Sequence, residues 1–443
     1  MNIAIVGAGL AGTVLAHELA VKGPSSLQIA AFDPSEAGPG NAYATALPEH
    51  YMNGPVRAMY AVPGDDGHLM RWRASGDANE LVPRTAFAAY LRELADATAR
   101  AHTNLRFHRT EIVQVTRARD AFVLRDEGGS AWEARAVVLA LGNPLPGNAF
   151  LPPEILTHPR YFGDPWRFDG AGIDDDILLI GTGLTAMDAI VSLARRNANF
   201  RVHVVSRHGL LPLVEDASVK AGSSTAFELD TATPYSLLRT MRHAARAHVA
   251  KGGDWRYVVD AIRKESPHIW ALWSELERRR FLRHVQAYWN IHRYRIPPKT
   301  MNVVREMESA HRILHYRGSV RDVRVHEDYF VVAMERAGER SRTRVRYIVN
   351  CSGPETDYVR IARPLVRDLV HRGLIRPDSL RLGIDATPSF NVIGAHGQPW
   401  PNLFTLGPPL RGLWYETTGV PEVREQAARL AQTLLASAPT GQG

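Results

Sequence analysis

The residues with the most legible chemistry are two glycine turns, each followed about twenty residues later by a polar strand end. Asn2–Val6 is a short apolar run rich in β-branched residues, the mark of a buried strand. Gly7-Ala8-Gly9-Leu10-Ala11-Gly12 follows at once, Thr13 to Val21 has helical character, and Leu27–Phe32 is a second strand ending at Asp33. Strand, G-x-G-x-x-G, helix, strand and acid within about thirty residues form a dinucleotide-binding unit. Gly7 permits the tight turn, Gly9 lets the backbone approach a pyrophosphate, and Gly12 lets helix and strand pack closely. The helix N-terminus offers amide donors and a positive dipole end. Asp33 is placed to accept from a ribose hydroxyl.

A second unit starts at the strand Asp176–Ile180. Its turn is Gly181-Thr182-Gly183-Leu184-Thr185-Ala186, and the helix behind it is expected to run to about Arg196. Ala186 replaces the third glycine and is still small enough for close packing. The next strand, Phe200–Val205, ends at Ser206-Arg207-His208 rather than at an acid. A serine and an arginine there suit a 2′-phosphate, hence NADP rather than NAD. No Ser/His/Asp set, no metal-spaced Cys/His cluster and no acid–base pair stands out. His203, His208, His284 and His292 read as strand-end and helix-face residues. The single cysteine, Cys351, excludes an internal disulfide and suits a reducing compartment.

These turns need elements to carry them. The pattern predicts an α/β chain with two Rossmann-like dinucleotide-binding domains, the second inserted in the first. Residues 1–160 form the first part, 165–352 the second domain and 353–443 the return segment. Polar, glycine-rich loops follow Asp33 at Gly38–Tyr43 and His50–Pro55, with Asn53 among them. A helix is expected over Thr85–Arg100, strands alternate through 105–140, and prolines from Pro144 to Pro153 mark a linker. Val138–Asn143 and Tyr347–Pro354 echo one another, each an apolar strand running into a small residue and glycine. Residues 212–300 interrupt the second unit as a helical insert. Its helices are expected at Pro234–Val249, Trp255–Lys264 and Pro267 to about Tyr288. The insert reads either as a substrate cap or as a structural or dimer-forming element. Its basic run, Arg278-Arg279-Arg280 with Arg283, His292, Arg293 and Arg295, reads either as solvated helix face or as an anion-binding patch. Gly407-Pro408 closes a late strand, and Glu416-Thr417-Thr418 leads into a last helix with a threonine cap expected before Pro421.

The bulk numbers agree with this organisation. With 443 residues, 45% hydrophobic and 22% charged, the chain has room for two or three domains. Only five of the 53 basic residues are lysines. No aromatic–basic motif of a nucleic-acid module is present, and no apolar run is long enough to span a membrane. The chain opens on a core strand, so no leader and a cytoplasmic location are expected.

Several motifs together carry a family likeness. They are Gly7-x-Gly9-x-x-Gly12; Gly38-x-Gly40-x-Ala42-Tyr43; His50-x-Met52-Asn53 with Met59; Pro83-Arg84 with Tyr90-Leu91; and Gly181-Thr182-Gly183-Leu184-Thr185 with Asp188. Ser206–Pro212, Trp289 with His292-Arg293-x-Arg295, Gly353-Pro354, Gly407-Pro408, Arg411-Gly412, Glu416 and Pro421-Glu422 complete the set. By these the chain resembles the bacterial FAD–NAD(P)-binding protein family, whose relatives include flavin-containing and N-hydroxylating monooxygenases. The resemblance implies FAD on the first unit, at Gly7, Ala8, Gly9, Ala11, Gly12 and Asp33, with Asn53 and Arg84 toward the flavin and Val113 at the adenine. Gly142, Gly407, Glu416 and Thr418 would complete the FAD site. NADPH would lie on Gly181, Gly183, Leu184, Thr185, Ser206 and Arg207. Phe162-Gly163-x-x-Trp166 lacks the histidine of the Baeyer–Villiger signature, so that chemistry is not expected.

The activity implied is an NADPH-consuming monooxygenase. Hydride reduces FAD, dioxygen forms a C4a-peroxyflavin, and oxygen passes to a heteroatom, nitrogen being expected, of a small polar substrate such as an amino acid. Asn53, Arg293 and Arg295 are the candidate catalytic or substrate-facing residues. Two alternatives stay open: an NAD(P)H-dependent flavin reductase without oxygen transfer, and a non-enzymatic FAD/NADPH sensor. A homo-oligomer is compatible with the sequence.

Overall fold

The computed structural model describes residues 2–195, 200–219, 227 and 229–437. In the first unit, β1 (Asn2–Val6) leads through helix α1 (Leu10–Lys22) to β2 (Gln28–Asp33), and α2 (Arg84–Ala101) leads to β3 (Leu105–Arg109). Strands β4 (Ile112–Ala118), β5 (Ala121–Asp126) and β6 (Ala131–Ala134) form an antiparallel meander before β7 (Ala136–Leu139) returns beside β1. β1 and β7 are buried on both faces, as the covered strands of a parallel sheet must be.

The second unit repeats the plan. After the short β8 (Tyr161–Phe162) come β9 (Ile177–Ile180), α3 (Leu184–Ala194) and β10 (Val202–Ser206). The insert then supplies α4 (Pro234–Ala250), α5 (Trp255–Leu272), α6 (Glu275–His284) and α7 (Gln286–Arg293). Helix α8 (Pro298–Ser309) crosses to β11 (Ile313–Arg317). A second meander, β12 (Ser319–His326), β13 (Tyr329–Arg336) and β14 (Glu339–Val345), precedes β15 (Tyr347–Asn350). The strand order is β11-β10-β9-β15-β8, with β9 in the place of β1 and β15 in the place of β7. The echo seen in two strands thus covers the whole unit, meander included. Arg196, the expected end of α3, lies outside the described residues.

The return segment contributes α9 (Pro364–His371), β16 (Asn391–Ile393), β17 (Pro399–Thr405) and α10 (Val420–Ala436). β17 pairs with β7 and completes the first sheet, ordered β16-β17-β7-β1-β2-β3. α10 packs on α1 in a core with Val14, Leu15, Leu19, Leu430 and Leu434.

The helices differ from expectation in three places. Pro267 lies inside α5 instead of starting a helix. A proline there removes an amide donor, and Ser266 Oγ donates to the freed Arg263 carbonyl at 2.7 Å. The long helix expected from Pro267 is divided: Ser274 caps α6, accepting from Glu277 N, and a further break falls at Val285. The last helix is capped by Gly419, without a threonine side-chain bond. The insert also packs beyond its host. Its core of Val258, Ile262, Trp270, Trp273, Phe281 and Trp289 takes in Leu380 and Tyr415 of the return segment. No helix among the described residues is long and apolar enough to cross a membrane.

Candidate functional site

The first glycine turn is built to close tolerance. Gly7 has φ +102°, and a Cβ there would lie 2.2 Å from the Ala140 carbonyl oxygen. A Cβ on Gly12 would lie 1.9 Å from the Gly7 carbonyl oxygen, so only glycine lets α1 approach β1 this closely. Gly7 N donates to Phe32 O at 2.8 Å, and Thr13 Oγ1 donates to Ala8 O at 2.8 Å. Ala8 N and Ser35 N, each at 2.9 Å, donate to the two Asp33 carboxylate oxygens. Burial pushes the Asp33 carboxyl up, against these bonds and Arg363. Each oxygen keeps a further lone pair for a ribose hydroxyl.

The loop after β2 covers this turn. Gly38 N donates to Ala8 O at 2.7 Å, and a Cβ on Gly9 would meet Gly40 Cα at 3.2 Å. Gly407, at φ +79°, anchors its N–H on Gln426 Oε1 at 2.8 Å and lies against Ala11. Gly142, at φ +65°, follows β7 with open space where a Cβ would stand. Val113 sits at the break in register between Ile112 and Gln114, so it falls outside the β4–β5 ladder. A backbone left out of a ladder is available to a ligand.

The second turn repeats the first at its base. Gly181 has φ +116°, its N–H meets Val205 O at 2.8 Å, and a Cβ would lie 2.2 Å from Cys351 O. Above that base it differs. Ala186 is fully buried where the first unit has Gly12. A Cβ on Gly183 would meet nothing within 4 Å among the described residues, so none of those that pack on the first turn has a counterpart there. Thr182 Oγ1 donates to Leu210 O at 2.7 Å and lies 3.0 Å from the Ser206 hydroxyl, tying the turn to the end of β10. Leu184 and Thr185, the first residues of α3, are partly accessible, and Arg207 is exposed.

The two units are pinned together. Arg84 Nη2, at the start of α2, lies 2.8 Å from Asp188 Oδ2 in α3. His50 Nε2 sits 3.1 Å from both Asp188 O and Ser192 Oγ. The backbone brings the two partners together, since Arg84 N donates to His50 O at 2.7 Å. Arg84 is therefore engaged across the domain boundary, with its guanidinium over Trp166. Burial pushes the Tyr43 phenol up to about 12, with the Arg84 charge acting to lower it and the Glu422 charge to raise it. The Asn53 side chain is partly buried and makes no hydrogen bond among the described residues.

Arg293 and Arg295 are not free to meet a substrate. Arg293 Nε lies 3.3 Å from Glu416 Oε2, and Nη2 lies 3.5 Å from Glu422 Oε1. Burial works against its charge, yet Glu416 and Glu422 hold its pKa above the ordinary value. Arg295 bonds Glu215 at 2.8 Å and Asp260 at 2.9 Å. Glu416 is 1% exposed and also accepts from Trp289 Nε1 at 2.8 Å. Arg263 grips Glu422 through two bonds of 2.5 and 2.7 Å. Burial raises the Glu422 carboxyl, but Arg263 and Arg293 outweigh it and bring it down to about 2. The pairs of Arg263 and Arg293 with Glu416 and Glu422 dock the insert on the return segment, and those of Arg295 brace the insert internally. Most of the remaining basic run is engaged on helix surfaces: Arg279 by Glu275, Arg280 by Glu277, and Arg278 over Trp270. Arg263, Asp260 and Glu215 carry no motif that would single them out in the sequence.

The model of the FAD-NAD(P)-binding family matches residues 4–144. No curated protein matches the sequence. Among solved structures, ornithine hydroxylase from Pseudomonas aeruginosa is similar with a TM-score of 0.66 and 14% identity, over 98% of both chains. Ornithine N-hydroxylase from Kutzneria sp. 744 is similar at 0.65 and 13%, again over 98% of both. L-lysine 6-monooxygenase from Pseudomonas syringae follows at 0.63 and 17%, over 98% of this chain and 99% of that one. The chain therefore has the fold of a two-dinucleotide-binding-domain flavoprotein, insert included.

Proposed function

We propose that this chain, whose residues 4–144 carry the FAD-NAD(P)-binding family match, is an FAD-dependent, NADPH-consuming monooxygenase that oxygenates nitrogen of a small amine or amino acid. The observation that supports this most is the contrast between the two turns. The roofed turn at Gly9 suits a resident FAD, and the open turn at Gly183 suits a nucleotide that comes and goes. The solved structures of this fold, named for ornithine and lysine hydroxylation, supply the substrate class.

In this reading Gly7, Ala8, Gly9, Ala11, Gly12, Gly142 and Gly407 frame the FAD pyrophosphate, with Asp33 on its ribose and the Val113 backbone at the adenine. Bound FAD supplies hydride acceptance and dioxygen activation. Asn53, with its amide unengaged, is the side chain offered toward the flavin side. Thr418 lies beside Tyr294 at the entry to α10. Arg84, Glu416, Arg293 and Arg295 position these elements, since their charges are already met within the protein. Gly181, Gly183, Leu184 and Thr185 receive the NADPH pyrophosphate, and Ser206 and Arg207 its 2′-phosphate end.

The test is a screen of the FAD-loaded protein with amino acids and small amines. NADPH use, peroxide and product mass are read together. The expected result is substrate-dependent NADPH oxidation with one oxygen atom added to the amine. NADPH consumed wholly into peroxide for every substrate would instead make the protein a reductase. Binding of both nucleotides with negligible turnover would make it a sensor.

A further inference from the structure

We infer that Arg317 is a second phosphate-binding arginine at the open nucleotide turn, acting with Arg207 as a two-guanidinium clamp that selects a 2′-phosphorylated adenosine. The inference rests on the NADPH reading of the second unit and adds the residue that makes it selective.

Arg317 ends β11, the edge strand beside β10, and its register partner is Ser206. Gly318 N donates to Ser206 O at 2.9 Å, so the two strand ends are held side by side. The Arg317 stem lies along the turn after Ser206: a Cβ on Gly209 would meet Arg317 Cβ at 3.1 Å and Cγ at 3.5 Å. Gly209, at φ +63°, folds its N–H back to Ser206 Oγ at 3.1 Å. The turn therefore presents Ser206, Arg207 and His208 together, with Arg317 against its side. This is the carboxyl end of a parallel sheet, where such folds take their ligands.

Two arginines stand unpaired at this place. Arg207 and Arg317 are both exposed, and neither makes a hydrogen bond or ion pair among the described residues. Three carboxylates near β11 in the chain are engaged elsewhere: Glu308 by His315, Asp322 by Arg324, and Glu335 by Arg321 and Arg340. A phosphate monoester carries close to two negative charges at neutral pH. One exposed guanidinium meets half of that, and a pair meets it in full with planar, bidentate geometry. The first unit shows the contrast. Its matching strand ends are Asp33 and Arg109, so an acid stands where Ser206 stands here.

The experiment uses the FAD-loaded protein and two probes, 2′,5′-ADP and 5′-AMP, with binding read by calorimetry. Arg317→Met keeps the aliphatic stem against Gly209 and removes only the charge. We expect roughly a tenfold loss of 2′,5′-ADP affinity, unchanged 5′-AMP affinity and a shallower salt dependence for 2′,5′-ADP. Arg317→Lys should recover part of the loss. Equal loss for both probes would overturn the inference, because Arg317 would then be holding the turn. No loss for either would overturn it too. If the unsubstituted protein binds FAD but neither probe, the NADPH reading of the second unit falls as well. That outcome is distinct from a failure of Arg317 alone.

Discussion

The two glycine turns share a base and diverge above it. Gly7 and Gly181 occupy the same left-handed conformation against a carbonyl of the neighbouring strand end, Ala140 in one unit and Cys351 in the other. That carbonyl, absolute in its demand for glycine, is common to both. The third motif position is not. At Gly12 the Gly7 oxygen leaves no room for a methyl group, whereas Ala186 buries one. The roof differs as well, with Gly38–Tyr43 over Gly9 and, among the described residues, open space where a Gly183 Cβ would stand. One fold thus yields a covered turn and, among the described residues, an uncovered one, through a loop and a few side chains.

The comparison can be broken by swapping those features. Gly12→Ala should destabilise the protein by about 4 kcal/mol, at the severe end for one substitution, and give flavin-free material on purification. Ala186→Gly should cost only about 1 kcal/mol, the penalty of glycine in a helix. Thermal melts and the flavin absorbance of both variants check this, and similar losses in the two would end the distinction. Next in size is the bond between the units. Arg84→Met leaves Asp188 buried and uncompensated, at a cost of about 3 kcal/mol in urea unfolding. Adding Asp188→Asn should recover much of it, and strictly additive costs would show that the two side chains do not interact. Ser206→Asp brings the strand end of the first unit into the second. It should move the KM ratio of NADPH to NADH by roughly tenfold toward NADH, about 1.4 kcal/mol.

The smallest effect at neutral pH concerns acid. Burial, with His68 and His102 nearby, lowers the His17 imidazole from 6.5 to about 4. The unfolded chain takes up that proton as pH falls through 6.5, and the folded one only near 4, so stability declines across that window. Glu422, lowered from 4.5 to about 2, stabilises the fold above pH 4.5 and loses that contribution as pH falls toward 2. His17→Gln should flatten the upper part of the acid limb and Glu422→Gln the lower part. A single common midpoint in both variants would contradict the assignment.

What was legible in the sequence was local. The turns, their strands and the Ser206–Arg207 end depend on residues within one short unit, where conformation and motif coincide. The echo between β7 and β15 was visible because both are buried strands ending in small residues. What escaped notice depends on side-chain partnerships that no local motif announces. Pro267 inside α5 is tolerated because Ser266 takes the orphaned carbonyl. Arg293 and Arg295 looked like anion-binding residues because Glu416, Glu422, Glu215 and Asp260 are remote in the chain. The cap of α10 shifted to Gly419 because Glu416 is held by Trp289 and Arg293, keeping the preceding residues out of the helix.

The docking of the insert on the return segment has a consequence in the order of synthesis. Trp289 emerges 127 residues before Glu416, and Arg263 emerges 159 residues before Glu422. At ordinary translation rates the insert waits roughly 6–30 s for the partners that neutralise its buried guanidiniums. The second unit can close its sheet in that interval, but its helical appendage cannot settle. A nascent chain halted before residue 416 should therefore carry a protease-sensitive insert on an already protected sheet.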